Sequence, residues 1–345
     1  MASAAQRNIR SISYAKYGYF FILPFFLVYC FFQVWPLINT FILSFYGNGQ
    51  KVDDFIGLDN FRALLFGSSV TGMGRTASAI HETFVNTLGN TFIVWIGNFV
   101  PQICISLALA VWFTDAKLKI RGKGFFKVIM YMPNIVTAAS VAALYLSLFA
   151  ESQYGSVNNL LLSAGIIDSP IRFVTGCWQA RGMIMFIQCW MWFGNTMIML
   201  MSGIMGLNPS LFEAANIDGA TSGQIFRKIT LPLLRPIMLY TLVTSMIGGL
   251  QMYDIPYLYR KGTERNLFTK TVAVFIYEHF REKMPNPNYG FSAAASVILF
   301  FITIALGSVA FAMNRDKDEA MKKKERKAYA KALKAKKKGL GGMEI

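Results

Sequence analysis

The chain has 345 residues, 54% of them apolar and only 15% charged, with a formal net charge of +16. Soluble domains carry about 25% charged residues. So low a share, beside 30 Phe, 18 Met and 15 Tyr, excludes a disordered chain and a nucleic-acid-binding tail protein, argues against a soluble enzyme, and points to a polytopic membrane protein.

A bilayer core of ~30 Å is crossed by about 20 apolar residues of helix. In chain order, six stretches qualify: 17–46, 84–113, 125–149, 179–205, 234–258 and 289–313. They are long and continuously apolar without period-2 alternation, which selects helices over strands. The predicted class is therefore an all-α polytopic membrane protein with six transmembrane helices. The first stretch is too long for a signal-peptide core and no small-residue cleavage site follows it, so it reads as retained. Pro24, Pro36, Pro101, Pro133 and Pro256 fall within the stretches. Bundled membrane helices tolerate proline, and simple kinks are expected.

Lys and Arg set the orientation. With the N-terminus inside, the inner segments hold 23 and the outer segments 11. Both termini are then cytoplasmic. The outer loop 259–288 runs against this count, with Arg260, Lys261, Arg265 and Lys270. The division is a cytoplasmic segment 1–16, one membrane domain 17–313 and a basic cytoplasmic tail 314–345, with 12 Lys/Arg against 5 Asp/Glu. That tail, KKKERKAYAKALKAKKKG, reads as a solvated positive run or a helix held on anionic membrane lipid; nucleic acid is not an implied partner.

Reactive and metal-binding sets are not expected. Cys30, Cys104, Cys177 and Cys189 form no C-x-x-C pair and are expected as buried small hydrophobes. His81 and His279 stand apart in polar stretches. A proton-driven carrier would place ionisable groups within its spans. The nearest here is Asp254, near the outer end of the fifth stretch, with no obvious partner. There is no G-x-x-x-x-G-K-[ST], so ATP-driven work would need another polypeptide to hydrolyse the nucleotide.

The informative segment is 207–236, LNPSLFEAANIDGATSGQIFRKITLPLLRP, a polar interruption on the expected cytoplasmic side. Asn208 and Pro209 read as a cap and first-turn proline. Leu211, Phe212 and Ala215 share one helical face, Glu213 and Ile217 another. Gly219 breaks this helix, Asp218 or Thr221 caps a second, and Pro232 and Pro236 end it. The expected product is a helix–turn–helix across the cytoplasmic mouth.

Glu213-Ala214-Ala215, then Gly219, then Ile229-Thr230-Leu231-Pro232 resembles the EAA loop of ABC importer permeases in residue type and spacing. Ile217 to Ala220 (IDGA), Phe226 and the following LPLLRP resemble the carbohydrate branch, the maltose and glycerol-phosphate type. Similar stretches recur at Ile56 to Phe61 (IGLDNF), Asn86-Thr87, Gly122 to Phe126 with Pro133, Gly155 to Leu161 (GSVNNLL) and Gly290 to Ser296 (GFSAAAS). The outer loop after the fifth stretch departs from the family, reading RKGTERN where a GGGP-like turn is usual.

The resemblance implies a type I ABC importer permease fold over 17–313, with cytoplasmic EAA coupling helices at 207–236. It implies a permease subunit of an ATP-driven sugar importer, with an oligosaccharide as the expected cargo and alternating access as the mechanism. The alternatives are a non-sugar solute such as glycerol phosphate, or a secondary carrier. The implied partners are a second permease subunit, two cytoplasmic ATPase subunits that carry ATP and Mg, and an extracellular or periplasmic sugar-binding protein. No cofactor, metal or catalytic residue is expected on this chain. Coupling to the ATPase falls to Glu213, Ala214, Ala215, Asp218, Gly219, Ala220, Ile229, Leu231 and Pro232. The spans flanking the loop offer Gln188, Trp190, Trp192, Asn195, Ser245, Gln251 and Tyr253 for the substrate path. Amides and hydroxyls bind sugar hydroxyls, and aromatic rings stack on sugar C–H faces; ordinary helix packing uses the same residues.

Overall fold

A computed structural model describes residues 15–47, 55–67, 74–115, 118, 120–260, 267–282 and 288–313. The segment before 15, the departing loop at 261–266 and the basic tail from 314 lie outside the described residues. No β-strand forms among the described residues; Tyr46 and Phe55 make a single antiparallel bridge.

The helices in chain order are α1 (Ala15–Tyr29), α2 (Trp35–Leu43), α3 (Asp59–Phe66), α4 (Gly74–Thr114), α5 (Lys123–Tyr131), α6 (Ala138–Leu148), α7 (Ser156–Ser163) and α8 (Cys177–Met205). They continue as α9 (Pro209–Ile217), α10 (Ser222–Ile225), α11 (Leu231–Leu233), α12 (Arg235–Leu250), α13 (Asp254–Arg260), α14 (Val272–Tyr277) and α15 (Tyr289–Met313). Four helices among the described residues are long and apolar enough to cross a membrane: Tyr17–Leu43, Ala77–Thr114, Cys177–Met205 and Tyr289–Ala312. Two bent pairs raise this to six if each is one span: Lys123–Ile135 with Ala138–Leu148, at 94°, and Ser222–Leu233 with Arg235–Tyr259, at 64°.

The third expected span, 125–149, is thus not one kinked helix. After α5 the backbone tightens to a 3-10 turn at Met132–Ile135, which contains Pro133. Thr137 is extended and accepts a bond from Ser140 N–H, capping α6 as a fresh helix. Pro101, by contrast, sits inside the unbroken α4. Two other prolines are absorbed by widening. A π-helical turn at Cys30–Val34 lets Trp35 N–H bond Cys30 C=O ahead of Pro36. A second, at Phe226–Thr230, lets Leu231 N–H bond Phe226 C=O ahead of Pro232. Proline lacks an N–H and its ring crowds the carbonyl four residues back, so a wider local turn relieves both faults.

The chain forms two compact units, Met1–Asn86 with Val274–Phe300, and Thr87–Ala273 with Phe301–Ile345. In the first, no described side chain of α1 is buried; Phe20 and Phe21 are 73% and 81% exposed. The Asn60 amide is buried and donates to Ser44 and Tyr46 carbonyls at 3.0 and 2.8 Å, holding the end of α2 against the start of α3. His81 Nδ1 meets Leu64 C=O at 2.8 Å. His279 is buried with Nδ1 at 2.8 Å from Phe275 C=O. Both histidines are therefore structural.

The second unit has two apolar cores. Val94, Val141, Ile184, Ile187, Ile255 and Tyr259 centre one; Ala110, Phe113, Met197, Leu200 and Met201 form the other. Polar ties cross between α4 and α8: Gln102 Nε2 donates to Thr196 Oγ1 at 2.8 Å, and Ser106 Oγ to Phe193 C=O at 2.7 Å. The four cysteines are free, and none is buried as expected; Cys30 and Cys104 are exposed. Cys177 and Cys189 are half-buried.

Asn158, in the stretch GSVNNLL, is fully buried and closes the loop after α6. It donates to Ala150 and Ile171 carbonyls at 2.9 and 3.1 Å and accepts from Ile171 N–H at 2.9 Å. Asn158→Leu strands these backbone groups, at about 1–3 kcal/mol for a buried unsatisfied group. The detergent-solubilised protein is expected to unfold several degrees lower, read as the midpoint of thermal unfolding, while Asn159→Leu leaves it near the original value.

Candidate functional site

Two features stand out in the second unit: a polar-lined cavity and an exposed helical hairpin.

The cavity encloses about 650 Å³. Helix α8 lines it with Gln188, Trp192, Asn195 and Met199, spaced four, three and four residues apart, so that they share one face. Helix α4 contributes Trp95, Asn98 and Gln102 at the same kind of spacing, and α12 contributes Tyr240, Thr241, Thr244, Ser245 and Gly248. The break between α12 and α13 supplies Gln251 and Tyr253, and the first turn of α13 supplies Asp254. Tyr253 stacks on Tyr257 at 5.0 Å between centroids. Trp95 donates from Nε1 to Ser245 Oγ at 3.3 Å. It can lie this close only because Gly249 has no side chain; a Cβ there would collide with the indole.

Of the seven path residues read from the sequence, Gln188, Trp192, Asn195, Ser245, Gln251 and Tyr253 come together around this cavity. Trp190 does not. It lies two residues from Gln188, about 200° around the helix. It packs edge-on against Tyr145 at 5.8 Å and faces an apolar groove with Pro101 and Met185. The contribution of α4 was not expected. Its signal was present in the sequence, since Trp95, Asn98 and Gln102 make a polar and aromatic stripe within the mainly apolar run 92–105.

The hairpin occupies 208–234. Asn208 is extended and its side chain accepts from Ser210 N–H at 3.1 Å, with Pro209 in the first turn of α9. Glu213 and Ala214 are exposed, whereas Ala215 is buried. Ile217 is 86% exposed. Asp218 ends α9 rather than capping the next helix. Gly219 then takes φ +73°, with Ala220 N–H bonding Ala215 C=O at 2.9 Å and Gly219 N–H bonding Asn216 C=O at 3.1 Å. These bonds make a Schellman motif, whose left-handed position strongly favours glycine. A Cβ on Gly219 would meet nothing within 4 Å, so the demand is on backbone conformation alone.

Thr221 caps the second arm in a capping box with Gln224. This arm does not stop at Pro232. It runs through the π turn, with Ile229 and Leu231 half-buried, to Leu233, and bends at Leu234. Pro236 sits in the first turn of α12, where its missing N–H costs nothing. Leu234 is fully buried and, with Ile237, packs against Gly203 near the end of α8. Both ends of the hairpin are thereby anchored to the helices that line the cavity.

A multi-helix chain with a polar cavity and an exposed hairpin between two of the lining helices has the form of a transporter membrane subunit. The family described as binding-protein-dependent transport system inner membrane component matches residues 63–318, and the chain belongs to it. It is accordingly a multi-pass cell-membrane permease of the ABC class and not an enzyme. It is 28% identical to the lactose transport system permease protein LacF of Rhizobium radiobacter over 318 residues, covering 92% of this chain and 100% of that one. It is 25% identical over 315 residues to the arabinooligosaccharides transport system permease protein AraP of Bacillus subtilis (strain 168), covering 91% and 94%. In fold it is similar to a crystal structure of a bacterial ABC transporter involved in the import of the acidic polysaccharide alginate. The TM-score is 0.73 at 23% identity, covering 90% of this chain and 98% of that one.

The Trp95–Gly249 contact gives a direct check on the cavity wall. Gly249→Val must push the indole off α12. In a variant that keeps Trp95 as the sole tryptophan, acrylamide quenching of its fluorescence is expected to rise at least about twofold; unchanged quenching would mean that the ring does not rest on this glycine.

Proposed function

We propose that this chain is one permease subunit of an ATP-driven importer for sugars, with an oligosaccharide as cargo. It works beside a second permease, two cytoplasmic ATPase subunits and a solute-binding protein. The observation that carries the reading is the exposed hairpin: a carboxylate at Glu213 on a short capped helix, a glycine-only turn, and a second arm fixed to the cavity helices. The similarity to lactose and arabinooligosaccharide permeases supports the sugar. The amide, hydroxyl and aromatic lining supports it too, since such groups bind sugar edges and faces.

On this reading the chain spans the membrane six times, each bent pair counting as one span. The excess of Lys and Arg on alternate loops supports both termini and the hairpin facing the cytoplasm. ATP binding closes the partner ATPases and moves the hairpin docked in them. The motion passes through Leu234 to α8 and α12 and exposes the cavity to each side in turn. Glu213, Ala214, Ala215, Asp218, Gly219 and Ala220 form the docking arm. Ile229, Leu231 and Pro232 shape the return arm. Gln188, Trp192, Asn195, Ser245, Gln251 and Tyr253 contact the sugar. ATP and Mg stay on the ATPase.

Gly219→Val places a β-branched residue in the left-handed region, at about 1–2 kcal/mol, without a clash elsewhere. It is expected to abolish uptake and lower ATPase recovery in mild-detergent co-purification, with the permease still in the membrane. Normal uptake by this variant would sink the coupling role. Asn195→Leu and Tyr253→Ala should each cut uptake at least about tenfold, the loss of a binding contact of about 1.4 kcal/mol, with the complex still assembled. Uptake in cells should survive a protonophore and fail on ATP depletion; the reverse would establish a secondary carrier.

A further inference from the structure

The cavity is lined almost wholly by uncharged groups, with one exception. Asp254 is exposed, stands at the interruption between α12 and α13, and among the described residues is the only one lining the cavity with a formal charge. Among the described residues no Lys, Arg or second acid lines the cavity. Among the described residues Asp254 makes no ion pair and no hydrogen bond that would spend its charge. A carboxylate at the start of a helix is favoured by the helix dipole, which explains how the fold tolerates it. It does not explain why it is left open to the cavity.

A fixed charge on a cavity wall backed by protein and lipid acts further than in bulk water, because both screen it poorly. It raises the local concentration of cations and lowers that of anions. From this juxtaposition we infer that Asp254 is a charge filter of the path, one that passes neutral and amino-bearing saccharides and turns away uronates and sugar phosphates. The inference rests on the proposed reading of the cavity as the substrate path, and it favours a neutral sugar over glycerol phosphate or an acidic polysaccharide as cargo. Chemically, a uronate or phosphate would need a cation to offset its charge in a confined path, and the described wall of this chain supplies the opposite sign.

The test places a thiol in the cavity and reads the local charge. Gly248 is exposed, lines the cavity, and has open space where a side chain would go. Gly248→Cys is made in the assembled transporter with the four native cysteines replaced by alanine. Its modification by a trimethylammonium methanethiosulfonate and by a sulfonate methanethiosulfonate is timed, each rate taken relative to the same reagent on a free thiol. The cationic reagent should be preferred about tenfold. Asp254→Asn should bring the ratio close to one, Asp254→Lys should invert it, and Asp254→Glu should keep it. A ratio that Asp254→Asn leaves unchanged, in a complex that still assembles, overturns the filter while leaving the path intact. A thiol that neither reagent reaches, in any state of the ATPase cycle, overturns the path itself and the filter with it.

Discussion

The constraint on which this structure depends is that a backbone inside an apolar medium has no water to satisfy its N–H and C=O groups. Continuous helices meet it at no extra cost. Every place where the chain departs from a helix must find partners inside the protein. The described residues show how. Buried loops between the spans meet the same demand, and there Asn60 and Asn158 turn side-chain amides onto the carbonyls of helix ends and loops. Asn90 does the same for the Leu267 and Lys270 carbonyls at 2.7 and 3.2 Å and accepts from Arg181. Thr271 Oγ1 donates at 2.7 Å to Met252 C=O, in the break before α13. Asn60 and Asn158 lie in the stretches IGLDNF and GSVNNLL, which resemble permease sequences. Their chemistry is that of holding interruptions together, not of contacting a solute.

The same constraint explains why a break and the cavity coincide. A polar cavity needs polar groups in helices that are otherwise apolar, and it needs backbone that is not already consumed. The interruption at Gln251–Tyr253 supplies both, ending α12 and turning Tyr253 and Asp254 toward the open space. On the other walls, α4 and α8 remain unbroken and give only side chains, in stripes set by the helical period. Gln102 and Thr196 bond each other and line the same cavity, so that one contact both locks two helices and presents polar atoms. Stability and the proposed solute contact are therefore not separable on this wall.

How much of this was legible in the sequence depends on which physical signal each feature left. Long apolar runs place the helices well: 179–205 against Cys177–Met205, and 289–313 against Tyr289–Met313. The break in the third run was not legible from Pro133 alone, because Pro101 sits in a similar run and leaves α4 whole. What separates them is the cap at Thr137, a local signal in the residues after the proline. At Pro232 the error was the opposite, since a π turn absorbed what a straight helix could not. In the cavity, residue type suggested both Trp190 and Trp192, and only helical phase tells them apart. Gly219 was legible because a left-handed turn leaves a direct compositional mark.

The hairpin illustrates how little tertiary packing such an element needs. Its turn is closed by its own backbone bonds and its second arm by its own capping box, so both arms keep their shape while most of their surface stays exposed. An element that only had to connect two spans could be floppy. One that must deliver displacement, as proposed, has to be stiff over its length and firmly seated at its base. The second arm runs without a gap from Ser222 to Leu233, and the base is the fully buried Leu234 against Gly203. About one helical turn from Gly203 lies Met199 on α8, and about two turns beyond Leu234 lie Tyr240 and Thr241 on α12, all on the cavity wall. In the proposed mechanism, movement of the hairpin as a rigid piece reaches the cavity through the packing of Leu234 and Ile237 on Gly203, and softening that packing would cost coupling before it cost folding.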